Sequence, residues 1–455
     1  MHVNCQPLRL KTRFPIERRA AHAERRTKAG WAAFYALALV ALVPGMLQPQ
    51  HAMTLRRSAI NVELAAQAIG VGTRESPALS GRALTEGYLT QPALMAEARL
   101  LGGALALRST LNLEGLTLER GELNAGIFGE GYIDRRHPHT YLHELVISAR
   151  RRAGQAEVSL TAGKGFAPFG TDDPMSRPFE KYPINHHLAQ ILERVVGIGA
   201  LKAGGLVVEA GLFNGDEPVS AGDVLNRDRY WDSWATRVTL LPFSQGELQA
   251  SYARVKSPGN ATGGGADQRK TSASIRLEDA QHSGYALLEW ARTGEYAGST
   301  RTFTFSSLLG EVAARYGPAR GALRWERTER PDEQRLADPF RTVLPPNDLS
   351  ISGRSRWTIE TARVSAPIGL MRMGTIEPFL EVARSRPSPT LEPTAFDPRQ
   401  FYGSDHLWSV SVGAKLAVGM AHMRMGRYEV ANSGDNVMKM NDAGKTGGAM
   451  THGHH

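Results

Sequence analysis

The sequence predicts an all-β fold, a transmembrane antiparallel β-barrel of about 16 strands, on three observations. From about residue 92 the chain repeats ten or so residues of alternating apolar and polar character, then a turn, then ten more. These segments number about sixteen, more than one soluble sandwich holds. Ahead of them lies a segment of the kind that directs export, and a mean hydropathy of −0.30 with no second long apolar run excludes a helical membrane protein.

The N-terminus comes first. Residues 31–52, WAAFYALALVALVPGMLQPQHA, are uncharged and follow Arg9, Lys11, Arg13, Arg18, Arg19, Arg25, Arg26 and Lys28, set against only Glu17 and Glu24. A basic region, an apolar core broken by Pro44 and Gly45, and a small residue at Ala52 predict a secretory signal peptide over 1–52; a transmembrane anchor is the competing reading. Removing this segment, net +6, leaves only +3 of the formal +9, so nucleic acid is not an expected partner. The single cysteine, Cys5, goes with it, leaving neither disulfide nor thiolate metal site. Residues 53–91 are expected as an N-terminal periplasmic segment, 92–430 as the barrel, and 431–455 as a flexible Met- and His-containing tail.

The strands follow from side-chain parity, since successive residues of a strand point to opposite faces. In LWSVSVGAKLAV, Trp408, Val410, Val412, Ala414 and Leu416 oppose Ser409, Ser411, Gly413 and Lys415. Trp234, Thr236, Val238 and Leu240 oppose Arg237 and Thr239; Ala273, Ile275 and Leu277 oppose Ser272, Ser274 and Arg276. Leu323 and Trp325 oppose Arg324 and Glu326, and Val158, Leu160 and Ala162 oppose Glu157, Ser159 and Thr161. In lipid every backbone donor and acceptor must be satisfied, and strands achieve that only in a closed barrel. Trp234, Trp357 and Trp408 begin apolar faces, where an aromatic girdle belongs. Lumen-facing candidates are therefore Arg237, Arg276, Arg324, Lys415, Glu157, Glu289 and Glu326.

Connections give orientation. Segments 151–155, 243–245, 279–283, 316–318 and 367–373 are short; 165–194, 214–230, 256–268, 331–352 and 386–402 are long and rich in Gly, Pro and Asp. The two sets alternate, with short turns expected at the periplasmic end and long loops outside.

The stretches GKGFAPFG (163–170), LAQILER (188–194), VVEAGLFNGD (207–216), WATRVTLLPF (234–243) and GELQASYARV (246–255) resemble, in that order, the phosphate-selective porin O and P family of outer-membrane channels. The resemblance covers about 95 residues and implies that 165–194 folds inward as a constriction carrying a short helix ending at Glu193-Arg194. It also implies a closing strand, for which AHMRMGRYEV (421–430) is the candidate. Phosphate selectivity is not carried over: beyond residue 52 there are eight lysines, none clustered, and the lumenal arginines are mixed with glutamates.

HPHTYLHE (137–144) looks like a metal site, but HExxH would need His at position 147, which is Ile147. Gly444-Lys445-Thr446 fails as a phosphate loop because position 439 is Lys439. Strand directions nevertheless gather His137, His139, His143, His186 and His187 at the external mouth, with Asp172, Asp173 and Met175 in the same loop. They form either a metal-ligand set, since imidazole suits Zn, Cu or Ni, or a hydrogen-bonded latch holding the loop to the wall. MTHGHH (450–455) with Met438, Met440 and Met450 is a second, softer metal candidate or a disordered end.

The expected function is an outer-membrane porin passing small polar or anionic solutes by passive diffusion, with no cofactor and with outer-membrane lipid and further copies in a homotrimer as partners. The alternative is a metal-binding or metal-uptake channel using the histidines. An enzyme is not expected, because no nucleophile motif stands near His143.

Overall fold

The computed structural model describes residues 60–77, 83–117, 139–171, 175, 177–179, 182–218, 221–223, 228–260, 262–279, 283–333, 351–370, 374–390, 399, 403–419 and 424–432. The expected signal peptide, Cys5, His137, Asp172, Asp173 and the tail from residue 433 lie outside the described residues.

Sixteen long strands close into one antiparallel barrel. They are β1 (Ile60–Ser76), β2 (Leu84–Leu100), β3 (Leu105–Asn112), β4 (Leu142–Ala153), β5 (Ala156–Gly165), β6 (Arg194–Ala203), β7 (Leu206–Phe213) and β8 (Ser233–Phe243). There follow β9 (Gly246–Val255), β10 (Asp267–Glu278), β11 (Gly284–Ala297), β12 (Thr300–Tyr316), β13 (Ala319–Glu333), β14 (Ile351–Ser365), β16 (Thr375–Pro389) and β17 (Leu407–Gly419); β15 (Ile368–Gly369) is a two-residue strand in a turn. Each strand pairs with the next, and β17 returns to β1 from Ala65↔Gly419 to Ser76↔Trp408, so no edge is left.

The side chains divide as a bilayer requires. On β17, Trp408, Val410 and Val412 are 44–55% exposed, while Ser409 and Ser411 are no more than 2% exposed. Leu323 and Trp325 point out on β13 while Arg324 and Glu326 are buried inside. Apolar outside and polar inside inverts a soluble protein and fits hydrocarbon around the wall, so the chain is an outer-membrane β-barrel.

The structure corrects three expectations. The barrel begins at Ile60, so 60–76 and 84–91 are strand rather than periplasmic segment; with β1 in place the ring closes at β17. The described part of AHMRMGRYEV is consequently not a closing strand: residues 424–432 turn into the lumen, with a buried 3-10 turn at Glu429–Ala431 that takes in Ala431, the first residue of the expected tail. Trp357 is fully buried and inward, donating its indole N–H to Ser355 Oγ at 3.1 Å, because β14 shows Arg356, Thr358 and Glu360 on its outward parity.

The turns at 154–155, 204–205, 244–245 and 317–318 share one end of the barrel; the strand ends at Asn112 and Leu142, Gly165 and Arg194, Phe213 and Ser233, and Glu333 and Ile351 share the other. That is the orientation the connection lengths predict.

Candidate functional site

Two pieces of non-strand chain fill the lumen, and they meet. The first is the loop between β5 and β6, residues 166–193. Its entry FAPFG folds back on its own exit: Ala167 N–H donates to Ile191 O at 3.1 Å. Gly170 has φ +72°, and a Cβ there would lie 1.6 Å from Ala189 O, so only glycine allows this crossing. Arg237 donates to Gly170 O at 3.2 Å, and Gly170 N–H donates to Ser251 Oγ at 3.0 Å. The loop then reaches the opposite wall. Thr171, Arg177 and Asn185 converge on Glu289 of β11, with Asn185 Nδ2 at 2.9 Å and Arg177 Nη2 at 3.2 Å. Ile184 N–H donates to Glu326 Oε2 at 2.9 Å, and the Arg324 guanidinium, paired with Glu311 at 2.7 Å, lies 4.1 Å over the Phe179 ring. Lys270 Nζ donates to His187 O at 2.7 Å. The loop therefore spans from β5 and β6 to β10–β13. Its helix is one turn, His186–Ala189; Glu193 has φ +54° and Arg194 already belongs to β6, so the helix expected to run to Glu193-Arg194 stops short.

The second piece, 424–432, follows β17 and enters from the short-turn end. Glu247 of β9 accepts from Arg424 Nη1 and Arg427 Nη2, each at 2.7 Å. Arg427 also donates to Thr239 Oγ1 at 3.0 Å and to Gln249 Oε1. Its backbone is held as well: Arg108 donates to Arg427 O at 2.9 Å and Arg237 to Gly426 O at 2.7 Å, while these arginines pair with Glu97 and Glu209. The two pieces join where Phe166 N–H donates to Tyr428 Oη at 2.9 Å. Met425 packs with Phe166, Met175, Tyr182 and Leu192, and Tyr428 with Ala167, Phe169 and Ile191, giving the lumen an apolar layer inside a charged sleeve. Burial pushes the Tyr428 hydroxyl well above its usual range, which keeps it a neutral hydrogen-bond acceptor for Phe166.

The histidines gather as their strand directions predict, for those that are described. A string of rings runs Phe166–His143–His139–Tyr182–His186–His187, with centroid separations of 5.2, 5.0, 5.7, 5.4 and 4.1 Å. Each of three histidines is tied by Nδ1: His139 to Glu114 at 2.8 Å, His143 to Glu193 at 2.5 Å, and His186 to Pro183 O at 3.1 Å. Glu193 also accepts from Thr140 N–H at 2.9 Å. Burial alone would raise the Glu193 carboxyl, but His143, His139 and Lys164 outweigh it and hold that carboxyl below its usual range. Among the described residues no set of three His, Cys, Asp or Glu is arranged to hold a metal ion.

All the expected lumen residues occupy inward positions, but in two environments. Arg237, Arg324, Glu289 and Glu326 are buried beneath the loop and the 424–432 segment. Arg276, Lys415 and Glu157 are partly exposed toward the short-turn end, where Lys415 stands opposite Glu377 in register and Arg276 pairs with Glu278. Positive and negative charge alternate around the wall, so no purely cationic ring forms. Sequence reasoning missed Glu193, Glu247, Arg177, Arg424 and Arg427. Only the contrast between Glu247 and the apolar Leu248 beside it carried a signal.

A closed barrel, apolar outside, charged inside, with a loop laid across its bore, is an outer-membrane β-barrel with a constricted lumen. Solved structures to which the chain is similar include an anion-selective porin from Comamonas acidovorans (13% identity, 79% of this chain and 99% of that chain, TM-score 0.46). Outer-membrane expressed OmpT of Vibrio cholerae (10%, 80% and 99%, 0.47) and OccK3 of Pseudomonas aeruginosa (11%, 79% and 96%, 0.36) are others. No family model and no curated protein matches the chain.

Proposed function

We propose that this chain is an outer-membrane channel for passive diffusion of small polar or anionic solutes, with its bore set by the loop 166–193 and the segment 424–432. The observation that carries the reading is the second filling: a porin-type loop narrows the lumen from outside, and a separate strap narrows it from the periplasmic end, through the shared Phe166–Tyr428 contact. Solutes meet Arg276, Lys415 and Glu157 in the periplasmic vestibule, where mixed charge gives weak selectivity. The histidines act as a latch, since His143 and Thr140 grip Glu193 at the loop's exit.

Two supporting proposals follow from the wall and the N-terminus. The outward residues Ala66, Ala68, Gly70 and Gly72 make the middle of β1 smooth, which suits close packing of copies in a homotrimer. Residues 1–52 are removed on export; an intact Cys5 segment in outer-membrane fractions by mass spectrometry would refute that. The function itself is tested by swelling of liposomes carrying the purified chain in graded sugars and organic anions. Permeation that falls with solute size supports it; impermeability to all of them defeats it.

A further inference from the structure

The outer wall of β11–β17 changes character abruptly toward the loop end. One cross-strand rung is entirely apolar: Ala286, Val312, Leu323, Ala362, Val382 and Val410 stand side by side on the outward face. The next rung outward reads Leu288, Gly310, Trp325, Glu360, Arg384 and Trp408, and from there arginine takes over. Arg292 stands on β11, Arg327 on β13, Arg354 and Arg356 on β14, Arg384 and Arg386 on β16, all on outward parity. Among the described residues only Glu329 and Glu360 carry negative charge on that face; they pair with Arg356 at 2.7 Å and Arg386 at 2.6 Å, leaving an excess of four positive charges there.

The wall also opens here. β12 and β13 are paired only as far as Ser307↔Thr328, so residues 300–306 of β12 part from β13 and leave a recess of about 870 Å³. Arg292, Arg301 and Arg354 line it with Trp290, Ser306 and Glu329. Arg354 bridges the gap, donating to Thr304 O at 2.8 Å, and Ser306 N–H donates to Glu329 at 3.1 Å. Arg384 lies 5.5 Å over Trp408.

We infer that this face binds the phosphorylated headgroups of outer-leaflet lipids. Arginine on a lipid-facing wall is costly at the midplane and nearly free at the interface, so these rungs mark the external headgroup level, with Trp325 and Trp408 on the rung of Arg384 and Trp290 on the rung of Arg327 and Arg386. Planar guanidiniums pair bidentately with phosphate, and the recess admits a headgroup between two strands while the tryptophans flank its acyl chains. The periplasmic turns lie at the opposite end of these strands, so the face addresses one leaflet only.

The test uses the full chain, purified and delipidated in neutral micelles, with bound lipid counted by native mass spectrometry. Phosphatidylglycerol, phosphatidylcholine and inorganic phosphate are added separately. Arg292, Arg327 and Arg384 are changed together to Ser, and in a second protein together to Lys; Arg354 and Arg356, which hold Glu329, are left alone. The wild type retains phosphatidylglycerol over phosphatidylcholine by about tenfold or more, the Ser protein loses that preference, and the Lys protein keeps most of it. Equal retention of both lipids by the wild type, or an unchanged preference in the Ser protein, overturns the inference. Occupancy by inorganic phosphate in place of lipid also overturns it, making this a free-anion site. Loss of oligomers in the Ser protein with lipid binding intact makes the face a contact between copies instead.

Discussion

Replacing Glu247 with Gln tests whether the strap is held as its contacts indicate. The substitution preserves the shape of the side chain and its place at the start of β9, and removes only the charge that Arg424 and Arg427 share. A hydrogen bond involving a charged group contributes about 1.5–3 kcal/mol and a neutral one about 0.5–1.5, so each of the two loses about 1–1.5 kcal/mol, together about 2–3. Arg427 keeps Thr239 and Gln249, and Glu209 lies 3.6 Å away, which confines the loss to this pair. At 1.4 kcal/mol per factor of ten, local opening of 424–432 rises by about thirty- to hundredfold. Hydrogen exchange read by mass spectrometry on the peptide containing Tyr428–Ala431, with the barrel in detergent, reports that opening directly. Exchange of this peptide within threefold of wild type, while the barrel strands stay protected, would mean that Glu247 does not hold the strap.

Further outcomes follow from the same geometry. Gly170→Ala forces a Cβ into Ala189 O and breaks the loop's crossing, so conductance rises while the barrel remains folded by circular dichroism. Because the Glu193 carboxyl is held below its usual value, its contribution is present above about pH 4.3 and is lost as pH falls through the lower folded value. Loop protection by hydrogen exchange falls over that acid range, and Glu193→Gln removes this pH dependence. Arg276→Ser with Lys415→Ser, in the vestibule, shifts the reversal potential toward cations. Arg237→Ser instead loosens the lumen filling, since it releases Gly170 O, Gly426 O and Glu209. Equal selectivity shifts from the two would contradict the division between vestibule and buried sleeve.

Much of the wall was legible because lipid and lumen make opposite demands on adjacent residues. Where the contrast was strong, as in Val410/Ser411 or Leu323/Arg324, parity gave the correct face. β1 and β2 were missed because their contrast is weak: Ala68 and Gly70 face outward while Ile69 and Val71 face in. Small outward residues beside apolar inward ones cancel the alternation. The 424–432 segment misled for a different reason: the resemblance implied a closing strand there, although Arg427, Tyr428 and Glu429 stand in a row and break the alternation of a strand. Register decided otherwise, because β17 already pairs along its length with β1. Trp357 faces the lumen because its neighbours Arg356 and Thr358 occupy the outward parity. The histidines were placed at the correct end by strand direction, but their carboxylate partners, Glu114 and Glu193, come from elements 25 and 50 residues away. No local pattern encodes such pairings.

The account rests on a lumen that conducts and is narrowed by two layers of chain. Single-channel recording in planar bilayers, comparing the full chain with one ending at Gly419 and refolded in the same detergent, tests this most directly. The full chain should give small, uniform steps, and the shortened chain severalfold larger ones with unchanged barrel stability. Equal steps from both, or no steps from either, would contradict it.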